Sequence, residues 1–316
     1  MNIFPYFIVV ELKYQIYNRK GNLIMAKFHG VYPALITPVT EGNKVNVEVL
    51  EQLIKFHKSQ NTEGFYIGGA TGEGLLIEKE QRKILAEKAC QFAGPDVTKI
   101  VHIAAMNFEE SIELAKHAES VGADAISAIP PIYFKYTDEE VYEYYKAIAE
   151  SVKIPLIIYY TTAANMTISL NQFIKLFEIE NIEGVKWTNS NYYQLILLRQ
   201  ACPDITIFNG PDEMLICGLS SGTDGGIGST YNFMLPYYQG IYKNFKEGNM
   251  AAALEIQKKA DKIIEAVLKY SVIPVTKLIL EEYGIPVGNP CTPMQPYTPE
   301  QRKQIIEDLK NAGLEL

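Results

Sequence analysis

Residues 100–129 read IVHIAAMNFEESIELAKHAESVGADAISAI. The run Ile100–Ala105 is apolar without alternation, as a strand covered on both faces should be. Across Glu109–Val121 the apolar residues Leu114, Ala115, Ala118 and Val121 recur every three or four positions, the period of an amphipathic helix. A second apolar run, Ala125–Ile129, follows. Strand, helix and strand within 30 residues make one parallel βαβ unit. The same alternation extends in both directions. Further strand-like runs are Ala34–Thr37, Gly64–Gly68, Leu156–Tyr160, Gly184–Thr188, Ile205–Asn209 and Gly225–Gly228. Helix-like stretches between them include Val47–Ser59, Glu78–Phe92, Asp138–Val152, Ser169–Phe177 and Tyr192–Ala201.

Eight such strands predict an α/β fold of the (β/α)8 or TIM-barrel kind. The rival is an open doubly wound sheet, but the first strand is not followed by G-x-G-x-x-G. Beyond about Gly248 only helical patterns remain, over Met250–Tyr270, Pro274–Tyr283 and Pro299–Asn311, joined by the proline-rich stretch Gly284–Pro299. The expected organisation is a barrel over 25–248 and an appended C-terminal helical bundle over 249–316, packed on the barrel. Residues 1–24 are expected to form an extension outside the fold, with Met25 opening the folded chain. The apolar segment Ile3–Val10 is too short to span a bilayer, and charge follows it rather than preceding it, the reverse of a signal peptide.

The chain has 316 residues, enough for two domains or one large barrel with additions. At 47% hydrophobic and 21% charged residues, the composition is that of a globular domain rather than of a disordered, collagen-like or coiled-coil chain. A net charge of −8 leaves no overall basic footprint for nucleic acid. Cys90, Cys202, Cys217 and Cys291 form no C-x-x-C pair, and His29, His57, His102 and His117 form no H-E-x-x-H. No serine-centred G-x-S-x-G occurs. Neither a metal nor a serine triad is expected, no cofactor is implied, and the cysteine pattern fits a reduced, cytoplasmic setting.

In a barrel the working residues lie at the C-terminal strand ends. The second strand runs into Gly68-Gly69-Ala70-Thr71-Gly72-Glu73-Gly74, either an anion cradle or an ordinary glycine turn. Lys186 stands inside the apolar sixth strand. A desolvated lysine keeps more neutral amine, the form that attacks a carbonyl; the alternative is a lysine snorkelling at a strand end. Tyr159 ends the fifth strand and Tyr133 follows the fourth; each is a candidate proton carrier or a common strand residue. Asp212-Glu213, after Asn209-Gly210-Pro211, could accept hydrogen bonds from a polyol or cap the next helix. The eighth strand ends Gly225-Gly226-Ile227-Gly228-Ser229-Thr230, whose glycines permit close approach.

From about Phe28 to Pro296 the chain resembles the pyruvate-dependent class I aldolases of the dihydrodipicolinate synthase and N-acetylneuraminate lyase superfamily. It is most similar to the sialic-acid-cleaving branch. The matching pieces are Gly68–Glu73, Ser127–Tyr133, Pro155–Tyr159, Gly184–Thr188, Gly210–Glu213 and Asp224–Asn232, of which D-G-G-I-G-S-T-Y-N is the most specific. The resemblance implies that Lys186 forms an imine with the substrate ketone and that Tyr159 moves a proton. It implies a carboxylate seat at Ala70-Thr71, with Thr188 near the reacting carbons, and a grip on the hydroxylated tail by Gly210, Asp212, Glu213 and Ser229. Tyr133 would reach a neighbouring subunit's site in a homotetramer. The implied ligands are sialic acid and pyruvate, with no nucleic acid and no membrane as partner.

Two stretches depart from the family pattern. Ala70 replaces a Ser or Thr whose hydroxyl contacts the carboxylate. After Tyr159 the usual Asn–apolar–Pro gives way to Tyr160-Thr161-Thr162-Ala163-Ala164. No arginine lies between Tyr159 and Lys186, which argues against the dihydrodipicolinate synthase activity. Cleavage of another 2-keto-3-deoxy sugar acid is one alternative, and a catalytically impaired homologue is the other.

Overall fold

The computed structural model describes residues 28–164 and 167–316. The extension expected at 1–24, and the start expected at Met25, lie outside the described residues. Eight parallel strands form the barrel: β1 (Gly30–Pro33), β2 (Gly64–Ile67), β3 (Thr98–His102), β4 (Ala125–Ala128), β5 (Leu156–Thr161), β6 (Ile182–Thr188), β7 (Thr206–Asn209) and β8 (Gly225–Gly228). They are hydrogen-bonded in the order β1-β8-β7-β6-β5-β4-β3-β2. The ring closes through the parallel bridge Ala34–Tyr66, reinforced by the Leu35 N–H donating to Tyr66 O at 2.9 Å.

Between the strands lie α1 (Val47–Ser59), α2 (Lys79–Ala93), α3 (Phe108–Ser120), α4 (Asp138–Glu150), α5 (Leu170–Leu176), α6 (Tyr192–Ala201) and α7 (Leu215–Ser220); α8 (Tyr231–Lys246) follows β8. Their starts follow the capping chemistry of the sequence. Thr137 and Ser169 close capping boxes on α4 and α5, and the Asn191 side chain accepts from Gln194 N at the start of α6. Each such cap contributes about 1 kcal/mol. The chain continues as α9 (Met250–Val267), α10 (Val272–Glu282) and α11 (Pro299–Ala312).

The period-2 alternation of a strand assigns the side chains of β5 and β6 to two faces. Tyr160 and Trp187 face outward, where they pack on Phe173 of α5 with ring centroids 4.9–5.6 Å apart. Tyr159 and Lys186 therefore face the barrel interior. A second core joins α7 and α8 to the C-terminal helices through Leu215, Tyr231, Tyr238, Ile263, Val275 and Ile305. Each fully buried aliphatic side chain there contributes about 1.5–3 kcal/mol.

One expectation needs correction. The first strand is Gly30–Pro33, not Ala34–Thr37. Residues 34–37 are buried, but past Leu35 their polar groups are met outside the ladder: Ile36 N donates to Asn232 Oδ1 at 3.1 Å, and Thr37 Oγ1 to Gly72 O at 2.6 Å. An apolar run reports burial, and pairing depends on where the neighbouring strand runs. The helices α7 and α8 are not among the helix-like stretches named from the sequence. The first has six residues, and the second holds Pro236 and a non-helical Met234.

No helix among the described residues is long and apolar enough to cross a membrane. All four cysteines are free thiols.

Candidate functional site

The barrel's interior layer places Lys186 beside Tyr159. The two are register partners across β5 and β6. The Lys186 Nζ lies 4.2 Å from the Tyr159 ring centroid and 4.6 Å from that of Tyr66, and the residue is only 5% exposed. Aromatic faces attract a cation without bonding to its nitrogen, so the amine is held in place with no hydrogen-bond partner of its own from either ring. Tyr66 is held from below: its hydroxyl donates to Ser127 Oγ at 2.9 Å, and Ser127 donates to Ile157 O at 2.7 Å. Burial pushes the Tyr66 phenol well above its ordinary range, so it stays protonated. His102 packs edge-on to Tyr159, ring centroids 6.1 Å apart. Burial, aided by the nearby charges of Arg82 and Lys186, pushes its imidazole down to about 3, so it is neutral near pH 7.

The glycine-rich loop after β2 folds back on itself. Gly74 N donates to Gly69 O at 3.1 Å, and a Cβ at Gly74 would fall 1.9 Å from Gly68 O, so only glycine fits. The Thr71 and Ser229 hydroxyls share a hydrogen bond of 2.7 Å, which ties this loop to the end of β8. Glu73 holds the loop's far end. Its backbone is left-handed at φ +56°, one carboxylate oxygen accepts from Cys291 N at 2.5 Å, and the other pairs with Lys277 Nζ at 2.6 Å.

Thr188, Gly210, Asp212, Glu213 and Ser229 line one cavity of about 410 Å³. A Cβ on Gly210 would land 2.0 Å from Thr188 Oγ1, so glycine lets that hydroxyl occupy its place. Asp212 does not cap α7. Its Oδ2 accepts from Thr230 N and Thr230 Oγ1, both at 2.7 Å, at the N-terminus of α8. Thr230 in turn bonds the Tyr238 hydroxyl. Burial pushes the Asp212 carboxyl up to about 6, against the downward pull of the two bonds from Thr230. Glu213 beside it is exposed.

Ala70 and Tyr159 line a second cavity, about 250 Å³, together with His102 and the apolar Leu75, Ile132, Ala163, Ala164 and Met294. Both departures from the family pattern therefore share one wall. The structure thus assembles nine of the ten residues singled out in the sequence around the barrel mouth. Tyr133 is the exception: it is 85% exposed at φ +78° and packs on Phe134. Sequence reasoning passed over Tyr66, His102, Ser127 and Lys277. The sign that marked Lys186, a lysine inside an apolar run, also marks Lys277 in Val275-Thr276-Lys277-Leu278-Ile279-Leu280. Among the described residues no group of three or more His, Cys, Asp or Glu side chains has the arrangement of a metal site.

Comparison with known proteins adds the following. Residues 27–312 match the model of the dihydrodipicolinate synthetase family. The chain is 35% identical to an N-acetylneuraminate lyase of Citrobacter koseri over 286 residues, 90% of this chain and 96% of that protein. Its fold is similar to that of CdNal from Clostridium difficile, solved in complex with mannosamine, with a TM-score of 0.88, 33% identity, and coverage of 91% of this chain and 100% of the other. A catalytic-lysine mutant of the sialic acid aldolase of Ruminococcus gnavus gives a TM-score of 0.86 at 29% identity, covering 94% of this chain and 98% of the other.

Proposed function

The chain belongs to the dihydrodipicolinate synthetase family, and from that premise we propose that it is a carbon–carbon lyase, an N-acetylneuraminate lyase. It reversibly cleaves N-acetylneuraminate to N-acetylmannosamine and pyruvate. The observation that carries this reading is the pairing of Lys186 with Tyr159 at the mouth of the barrel, beside a cavity lined by hydroxyl-binding groups.

In this mechanism the Lys186 amine adds to the C2 ketone and water leaves, giving a protonated imine. The imine accepts the electron pair of the C3–C4 bond as it breaks. The C4 hydroxyl proton passes, directly or through the substrate carboxylate, to the Tyr159 oxygen, which has given its own proton to the water leaving C2, and N-acetylmannosamine departs as the aldehyde. The enamine takes a proton at C3, and hydrolysis of the imine releases pyruvate and Lys186. Thr71 and the neighbouring loop N–H groups, with Ala70 alongside, seat the carboxylate. Thr188 stands near the reacting carbons. Gly210, Asp212, Glu213 and Ser229 hold the hydroxylated tail.

The barrel, residues 25–248, carries the chemistry, and the helical region 249–316 braces it. The enzyme works in sialic acid breakdown in the cytoplasm as a homotetramer. An exposed apolar patch of Met106, Phe108, Tyr133 and Phe134 supports contact with a second copy, to whose site Tyr133 is assigned. A 2-keto-3-deoxy sugar acid is the alternative substrate, favoured by the wall shared by Ala70, Ala163 and Ala164.

Borohydride trapping tests this reading. Pyruvate and N-acetylneuraminate should each leave a mass adduct on Lys186, the second with release of N-acetylmannosamine. An adduct from pyruvate alone would transfer the assignment to the alternative sugar acid. No adduct from either, in folded protein, would leave a homologue without the chemistry.

A further inference from the structure

The ion pair between Glu73 and Lys277 is more deeply buried than a surface bridge. The two side chains are 0% and 2% exposed, with oxygen and nitrogen 2.6 Å apart. Each partner has a second contact. Glu73 accepts from Cys291 N, and Lys277 donates to Asn289 O at 2.9 Å. The pair therefore joins three segments: the loop after β2, the helix α10, and the turn at 289–291. Glu73 is two residues from Thr71, and its left-handed backbone is a conformation that a non-glycine residue holds only when its surroundings impose it. It also lines the cavity shared by Ala70 and Tyr159.

We propose that Glu73 and Lys277 form a positioning clamp through which the C-terminal helices set the shape of the loop that seats the keto-acid carboxylate. The inference rests on the assignment of residues 68–74 to that carboxylate. Two physical consequences follow. Without the Lys277 ammonium, the loop loses its anchor to α10. The Glu73 carboxylate is also left uncompensated in the cavity wall, where it repels an incoming carboxylate. Removal of both groups leaves no stranded charge, so the double variant should be the milder one.

The test uses the full chain carrying Lys277→Met, Glu73→Gln, or both. Three quantities are read: the pyruvate concentration for half-maximal borohydride trapping on Lys186, the KM for N-acetylmannosamine in the synthetic direction, and hydrogen exchange at the amides of 70–74. Lys277→Met should raise the pyruvate value about tenfold. It should leave the N-acetylmannosamine KM within about twofold and speed exchange in the loop. Glu73→Gln should also speed loop exchange, and the double variant should recover part of the pyruvate loss. Equal rises in both substrate constants, or a lowered melting temperature with unchanged loop exchange, would overturn the clamp and leave a merely structural pair. Faster exchange with an unchanged pyruvate value would instead overturn the loop's assignment to the carboxylate. If Lys277→Met does not fold, Glu73→Gln and the double variant decide by the same readouts.

Discussion

On the β7–β8 side of the barrel mouth, Asp212 accepts two hydrogen bonds from Thr230, whose hydroxyl also bonds Tyr238. On the β5–β6 side, the Lys186 amine rests against the rings of Tyr159 and Tyr66. The first wall is organised by directional bonds, which hold a carboxylate in one orientation as recognition of hydroxyl groups requires. The second is organised by packing, which excludes water from an amine while leaving it free to change its bonds. In the proposed mechanism the barrel mouth thus divides binding from chemistry by the type of force that holds each residue.

That division is open to three tests. The largest effect is expected at Lys186. Lys186→Met should cut cleavage by at least about 10³-fold, about 4 kcal/mol of barrier. The melting temperature should hold or rise, because an apolar chain replaces a buried ammonium. A variant that kept its activity, or that unfolded, would remove the distinction between the two walls.

A smaller effect is expected at Asp212. Asp212→Asn weakens a charged acceptor and should raise the KM for N-acetylneuraminate about tenfold to a hundredfold, with a lesser change in kcat. Its stability effect has a definite sign. The folded carboxyl is raised to about 6 from an ordinary 3.8, so the native state binds the proton more tightly than the unfolded chain. The stability this group contributes is fully present below pH 3.8 and is lost as pH rises through about 6. Denaturation midpoints should therefore shift in favour of Asp212→Asn between pH 4 and pH 7; a shift in the other direction would mean that the carboxylate is better solvated than its burial indicates.

The smallest effect is expected at Ala70. Ala70→Ser adds a hydroxyl to the cavity wall that Ala70 shares with Tyr159 and should lower the half-saturating pyruvate concentration about fivefold, near 1 kcal/mol. An unchanged value in a trapping titration would mean that carboxylate binding does not need the hydroxyl.

Much of this was legible in the sequence. Continuous apolar runs gave the strands β2 to β8 to within a few residues, and helical periods gave α1 to α6. Lys186 stood out because charge inside an apolar run is costly. The same logic held for Lys277 but named no partner, since Glu73, with which it pairs, lies in a distant part of the chain. Asp212 was legible as a candidate site residue, but its bond to Thr230 was not.

The sequence by itself determined which residues are buried and in what rhythm, because hydrophobic periodicity is a local property set by 2.0 or 3.6 residues per repeat. The tertiary structure decided where β1 starts, since pairing there depends on β8 and on the bridge from Ala34 to Tyr66. It decided that two tyrosine rings flank Lys186, that Asp212 turns to α8, and that Glu73 meets Lys277. These are relations between distant segments. Barrel closure sets the distances between them, and electrostatic and hydrogen-bond energies depend on distance and geometry rather than on separation along the chain.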